Sequence, residues 1–291
     1  MQGKIIKGIG GFYTVHDGAQ TVLTCRAKGI FRNRGEKPLV GDNCEFSRIE
    51  EEEGTGRIDK LLPRKNELIR PAVANMDQAL ILVSAGQPAF HPLLLDNFLL
   101  WMGMQGVPTL IGIGKCDQDP DEAARIAAQY AGTGYPVLIF SALTGEGVPE
   151  LRTALAGKTT VLAGASGVGK STLLNALIPE AGMETGELSA RLGRGRHTTR
   201  HSEIFFLEKD SFVLDTPGFT SLDTPELEIS EIGGFYPEFT EASRHCRFPD
   251  CLHDREPDCG VKAAVRAGAI ARSRYESYRR NLEDVRARRP Y

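Results

Sequence analysis

The residues Gly164-Ala165-Ser166-Gly167-Val168-Gly169-Lys170-Ser171 follow the spacing G-x-x-x-x-G-K-[S/T]. In that pattern the backbone N–H groups of a curled loop point at phosphate oxygens. The apolar run Thr160-Val161-Leu162-Ala163 before it reads as a strand. Thr172-Leu173-Leu174-Asn175-Ala176-Leu177 after it reads as a helix, whose amino end adds partial positive charge. Lys170 is expected to bridge the β- and γ-phosphates of a nucleotide. The Ser171 hydroxyl is expected to take one position on Mg²⁺, with Thr172 beside it in the first helical turn.

Downstream, Phe212-Val213-Leu214-Asp215-Thr216-Pro217-Gly218 is an apolar strand closing in D-x-x-G. Asp215 would hold Mg²⁺ through water, and the Gly218 N–H would reach the γ-phosphate. Between the two motifs lies the polar loop Gly193-Arg194-Gly195-Arg196-His197-Thr198-Thr199-Arg200-His201, in which Thr198 or Thr199 is a second hydroxyl for Mg²⁺. Many nucleotide hydrolases orient water with Gln immediately after D-x-x-G. Phe219 stands there, so His197 becomes the candidate catalytic group.

Two strand ends precede the phosphate loop: Ile111-Gly112-Ile113-Gly114-Lys115-Cys116-Asp117 and Val137-Leu138-Ile139-Phe140-Ser141-Ala142-Leu143. In an N/T-K-x-D loop the Asp carboxylate accepts from guanine N1–H and the 2-amino group. Asp117 therefore carries a preference for GTP and GDP. Lys115 would lay its stem over the ring, and the backbone N–H groups of the Ser141-Ala142 turn would serve the guanine oxygen. Gly114 stands where Asn is expected, a departure that removes about 0.5–1.5 kcal/mol per lost hydrogen bond. An ATPase is the reading this leaves open. The motif order, base loop first and phosphate loop second, is a circular permutation, which preserves the site in space.

A second chemistry is carried by Cys246-x4-Cys251-x-His253-x5-Cys259. Three thiols and an imidazole suit tetrahedral Zn²⁺ with no position left for water, hence a structural ion. The bland alternative is a loop with three free thiols. Arg266, Arg272, Arg274, Arg279, Arg280, Arg286, Arg288 and Arg289 crowd the tail beside Tyr275 and Tyr278. Such a segment suits RNA or forms a solvated helix face. Lys28, Arg32, Arg34 and Lys37 form a second candidate contact loop, and Glu50–Glu53 are expected to face away from it.

These motifs need positioning elements. From Met1 to about Pro71, short runs rich in β-branched and aromatic residues broken by Gly turns predict a small antiparallel barrel or sandwich. From Asp77, apolar strands alternate with amphipathic helices, the pattern of a parallel α/β sheet. A hairpin over Glu203–Leu207 and Phe212–Asp215 follows, then a helical region with no strand signal. The expected domains are 1–71, 72–221 and 222–291. The chain has 291 residues, of which 41% are hydrophobic and 25% charged, with a formal charge of −3. It has no apolar run long enough to span a bilayer, so neither a membrane role nor a uniformly basic DNA-binding surface is indicated. A cytoplasmic monomer is expected, since nothing in the sequence marks an oligomeric interface.

The permuted order, with a barrel before it and a Cys/His module after it, resembles the ribosome small-subunit-dependent GTPase family (RsgA, also called YjeQ or YloQ). The likeness rests on Gly164–Ser171, Gly195-Arg196-His197-Thr198-Thr199, Asp215–Gly218, Ser141-Ala142-Leu143-Thr144-Gly145-Glu146-Gly147 and the Cys/His cluster. It implies an OB-fold in the first module, zinc at the four ligands and a catalytic role for His197. It also implies late maturation of the small ribosomal subunit, with contact to its rRNA and GTP hydrolysis stimulated by the subunit. The competing reading is an RNA-binding scaffold in which nucleotide only stabilises a conformation.

Overall fold

The computed structural model describes residues 1–18, 21–27, 31, 36–49, 53–68, 72–179, 203–215 and 222–288. The first strands are β1 (Gln2–Ile9), β2 (Phe12–His16), β3 (Val22–Ala27), β4 (Asn43–Arg48) and β5 (Thr55–Leu61). They close into a barrel in the order β1-β2-β3-β5-β4, with β1 pairing back on β4 and a parallel pair between β3 and β5. Period-2 alternation drives closure: Leu23, Cys25, Cys44, Phe46, Ile58, Ile5 and Val15 point inward and are buried. This is the connectivity of a five-stranded OB-type barrel.

The barrel exit is pinned by a fork of charged hydrogen bonds. Arg64 Nε donates to Asp42 Oδ1 at 2.7 Å and its Nη2 to Oδ2 at 2.8 Å, while the Asp42 carboxylate is fully buried. The short strands β6 (Glu67–Leu68) and β7 (Val73–Ala74) follow. Gly41, at φ +94°, lies so close to them that a Cβ would sit 1.9 Å from the Ala74 carbonyl oxygen.

The α/β part uses β8 (Gln78–Ser84), α1 (Pro92–Met104), β9 (Thr109–Gly114), α2 (Pro120–Tyr130), β10 (Val137–Ile139), α3 (Val148–Leu155), β11 (Thr159–Gly164), α4 (Lys170–Leu177), β12 (Glu203–Glu208) and β13 (Ser211–Asp215). The sheet order is β10-β9-β8-β11-β13-β12. Every residue of β8, β9 and β11 is buried, as strands covered on both faces must be. The sequence-predicted hairpin is present, with β12 antiparallel to β13. Helix α2 starts where Asp119 accepts from the Glu122 N–H at 2.8 Å and Pro120 supplies a fixed φ.

By contacts the chain forms two compact units. One comprises Met1–Ala79, Val148–Ala163 and Lys170–Gly218, the other Leu80–Gly147, Gly164–Gly169 and Phe219–Tyr291. In the first, His16 of the barrel stacks on Phe206 of β12 at 4.4 Å between ring centroids and meets Phe212 of β13 edge-on at 5.9 Å. Lys7 pairs with Glu203 at 2.8 Å. The barrel thus grips the hairpin that ends in Asp215.

In the second unit no strand follows Leu222 among the described residues. A 3-10 turn (Ile232–Phe235), α5 (Phe239–Ser243), α6 (Gly260–Arg266) and α7 (Arg272–Arg288) surround a core of Tyr236, Phe239, Tyr278, Leu282 and Val285 that includes Leu100 of α1. Among the described residues no helix is long and apolar enough to cross a membrane.

Candidate functional site

The phosphate loop joins β11 to α4 as the sequence predicts. Gly167 and Gly169 adopt φ +80° and +106°, left-handed values that turn successive N–H groups inward. Gly164 is required for another reason: a Cβ there would lie 2.5 Å from the Leu82 carbonyl oxygen. Val168 is buried and anchors the loop, while Ala165 and Ser166 form its curled segment. In the first unit, Lys170 and Ser171 open α4 and Thr172 follows. Burial lowers the Lys170 pKa, and the Asp215 carboxylate opposes that shift. Asp215 lies level with Leu162 on the parallel neighbour β11, two residues before the loop begins. Cation and carboxylate are thereby set for nucleotide phosphates and Mg²⁺.

The base loop belongs to the second unit. Lys115 sits at φ +61° immediately after β9. Its ammonium donates to the Gly167 carbonyl at 2.8 Å and also to that of Gln87. Asp117 is exposed. Ser141 is fully buried, and its Oγ accepts from the N–H groups of Leu143 and Thr144 at 3.3 and 3.2 Å. Its part is to hold the turn that presents Ala142. Gly218 and the loop residues His197, Thr198 and Thr199 lie outside the described residues, as do Lys28, Arg32, Arg34, Arg289 and Glu50 to Glu52.

Sequence reasoning missed the partners of the base loop. Gln87, Gln118 and Phe140 all touch it, and none carries a motif signal. Several tail arginines also make ion pairs within the helical module. Arg274 is 1% exposed, donates to Asp96 Oδ1 of α1 at 2.5 Å and to Glu238 Oε1 at 2.7 Å, and lies 4.6 Å over the Tyr236 ring. Arg286 pairs with Asp254 at 2.7 Å and Arg279 with the same carboxylate at 3.4 Å. Arg272 and Arg280 pair along their own helix, and Arg288 donates to the Thr224 carbonyl. Arg266, Arg272, Arg279, Arg280 and Arg288 are exposed. Within the ion pairs Arg274 is buried, while Arg272, Arg279 and Arg280 keep their side chains exposed.

The ligand atoms of Cys246, Cys251, His253 and Cys259 all lie within 4.8 Å of one another. Cys246 Sγ is 3.8 Å from Cys259 Sγ, and these sulfurs are 3.5 and 3.4 Å from His253 Nδ1. A tetrahedral zinc with bonds of about 2.3 Å to sulfur and about 2.0–2.1 Å to nitrogen needs S–S edges of roughly 3.8 Å and S–N edges of roughly 3.6 Å, so the cage fits. Burial pushes the Cys251 thiol up to about 12 and lowers the His253 pKa. The imidazole is therefore neutral and ready to ligate, and burial likewise raises the Cys259 thiol, so Cys251 and Cys259 ionise readily only beside a cation. Tyr275 and Tyr278 of α7 donate to the carbonyls of His253 and Leu252 at 2.7 and 2.5 Å, fixing the ligand loop from outside.

A phosphate loop between strand and helix, an Asp closing the adjacent strand and a base loop lying earlier in the chain define a circularly permuted P-loop GTPase. It carries a barrel before that domain and a Cys₃His module after it. The profile of the RsgA GTPase family matches residues 61–225 and that of the RsgA N-terminal domain residues 2–56. The chain belongs to the RsgA GTPase family. It is 44% identical over 302 residues to the small ribosomal subunit biogenesis GTPase RsgA of Agathobacter rectalis, covering 100% of both chains. Its identity to the Alkaliphilus metalliredigens protein of the same name is 43%, over 100% of this chain and 99% of that one. Among solved structures it is similar to YjeQ from Thermotoga maritima, with TM-score 0.80 and 35% identity over 99% of each chain. It is also similar to YloQ, a circularly permuted GTPase, with TM-score 0.78 and 37% identity over 100% of this chain and 96% of that one. The activity is GTP hydrolysis, and membership of the family implies guanine nucleotide and Mg²⁺.

Proposed function

We propose that this GTPase acts in late maturation of the small ribosomal subunit, hydrolysing GTP to GDP and phosphate under stimulation by the subunit and binding its rRNA. The observation that carries this reading is identity above 40% along the whole chain to proteins named for small-subunit biogenesis. The working division is an RNA-binding barrel at 1–71, the GTPase domain at 72–221 and a zinc-holding helical domain at 222–291, acting as a cytoplasmic monomer.

The barrel surface supports the RNA contact. Ile9, Phe12, Arg26 and Arg57 stand opposite one another along a cross-strand row. Phe12 is 46% exposed and Arg26 lies 4.8 Å over its ring. An exposed aromatic flanked by guanidinium groups offers a stacking platform to unpaired bases and charge to the backbone.

Within the site, Asp117 reads guanine, Lys115 covers the base, and Ala142 with Ser141 serves its oxygen. Gly164 to Thr172 hold the phosphates. Ser171, with Thr198 or Thr199, ligates Mg²⁺, Asp215 holds it through water, and Gly218 meets the γ-phosphate. His197 orients the attacking water. One structural Zn²⁺ occupies Cys246, Cys251, His253 and Cys259. The test is a GTP and ATP hydrolysis assay with and without purified small subunits. GTP turnover that rises on adding subunits, with GDP competing better than ADP, is the expected result. Turnover indifferent to subunits would remove the proposed partner.

A further inference from the structure

Gly112 and Gly114 stand two apart on β9, so any side chains they carried would leave the same face of the strand. Both would meet one ring. A Cβ at 112 would lie 3.2 Å from Phe140 Cε1, and a Cβ at 114 would lie 3.1 Å from Phe140 Cζ. Phe140 is 3% exposed. Its backbone is held as well: its N–H donates to the Ile113 carbonyl at 2.9 Å, and its own carbonyl accepts from the Cys116 N–H at 3.3 Å. The ring therefore lies over the two glycines, with Leu82 and Leu80 beside it at Gly112, where a Cβ would be 2.6 and 3.1 Å from them. An Asn at 114 would bring its Cβ against this ring, at 3.1 and 3.5 Å from two of its carbons.

The base loop is held by other groups. Lys115 donates to the carbonyls of Gly167 and Gln87. From the other side, Gln118 Oε1 accepts from the Gln87 N–H at 3.4 Å. The Gln118 carboxamide sits where Gly86 leaves room, since a Cβ there would be 1.8 Å from Oε1.

We propose that Phe140 is a specificity-determining residue of this GTPase: its ring takes the space that an Asn side chain at position 114 needs, so Gly114 and Phe140 form a matched pair. Guanine is then read by Asp117 without the second anchoring side chain, and Lys115 and Gln118 position the loop. The proposal rests on the guanine reading of the site and adds the residue that limits its discrimination.

The experiment is a double-mutant cycle on the full chain with G114N, F140T and the pair, measuring affinity for GDP, IDP and ADP together with the thermal unfolding of each variant. G114N alone is expected to bind GDP several-fold more weakly than wild type. The pair is expected to bind GDP about tenfold more tightly than G114N and to raise the GDP-to-ADP preference by a similar factor. The IDP-to-GDP ratio should stay constant because Asp117 is unchanged. Equal effects of G114N in both backgrounds would overturn the proposal. Should F140T fail to fold, G114A and F140L provide the cycle: the added methyl should weaken GDP binding in the presence of Phe140 and have no effect in the F140L background, and an equal loss in both would overturn it. Wild-type preference for ADP over GDP, read before any variant, would instead overturn the guanine reading itself.

Discussion

The ammonium group of Lys115 donates a 2.8 Å hydrogen bond to the carbonyl oxygen of Gly167, tying the loop that reads the base to the middle of the loop that holds the phosphates. Lys115, proposed to cover the purine, thus also ties its own loop to Gly167. Lys115→Met keeps the alkyl stem and removes the charged donor, a loss of about 1.5–3 kcal/mol. GDP and GTP affinity should both fall by roughly tenfold or more, measured by titration with a fluorescent guanine nucleotide. Unchanged affinity would show that the bond contributes nothing to the nucleotide-bound state.

Arg274 is the buried cation that links α7 to α1. Burial raises the pKa of Asp96, and the Arg274 guanidinium opposes that shift. Removing one member of a buried pair typically costs about 3–5 kcal/mol. Arg274→Met should lower stability in urea by that order. Asp96→Asn in the same chain should add far less than its own single cost, because the two share one network. Additive losses would contradict the network.

The aromatic cluster beside the Cys/His cage gives metal removal an optical readout. Phe239 and Tyr278 pack on His253 at ring-centroid separations of 5.7 and 6.2 Å. One zinc per chain is expected by elemental analysis. Chelation or Cys259→Ser should reduce the near-ultraviolet dichroism of Tyr236, Tyr275 and Tyr278, with recovery on adding zinc only for the chelated wild type. A full signal in metal-free protein would remove the structural role.

Burial lowers the pKa of His16, and Asp17 opposes the shift. Its Nδ1 accepts from the Gly18 N–H at 2.9 Å, which requires that nitrogen to be unprotonated. Because the folded pKa is depressed, the unfolded chain binds the extra proton first as pH falls through its ordinary value of about 6.5. Stability should decline from about pH 7 towards pH 5, more steeply in wild type than in His16→Gln. Identical slopes in urea unfolding would assign the decline to other groups.

Phe12→Ala should weaken binding of small-subunit rRNA by about 1–3 kcal/mol if the ring stacks on an unpaired base, while leaving intrinsic GTP hydrolysis without subunits unchanged. Its 46% exposure makes loss of folding a small concern. A filter-binding titration at two salt concentrations separates this from the arginine contribution, since only charge removal flattens the salt dependence.

Linear sequence determined much of this protein, because backbone motifs are local. A G-x-x-x-x-G-K-S run between an apolar strand and a helix reads as a phosphate loop, and the apolar runs Thr160–Ala163 and Phe212–Asp215 lie within one residue of β11 and β13. The Cys/His cluster was legible because its four residues fall within fourteen positions. Side-chain partners across long separations were not. Arg274 looked like part of a basic surface until folding brought it against Asp96, 178 residues away, because composition records charge without recording what it meets. Gly114 looked like a missing asparagine until the ring of Phe140 was found in the space such a side chain would enter. Spacing fixes what a loop's backbone can do, and only packing decides which side chains have room.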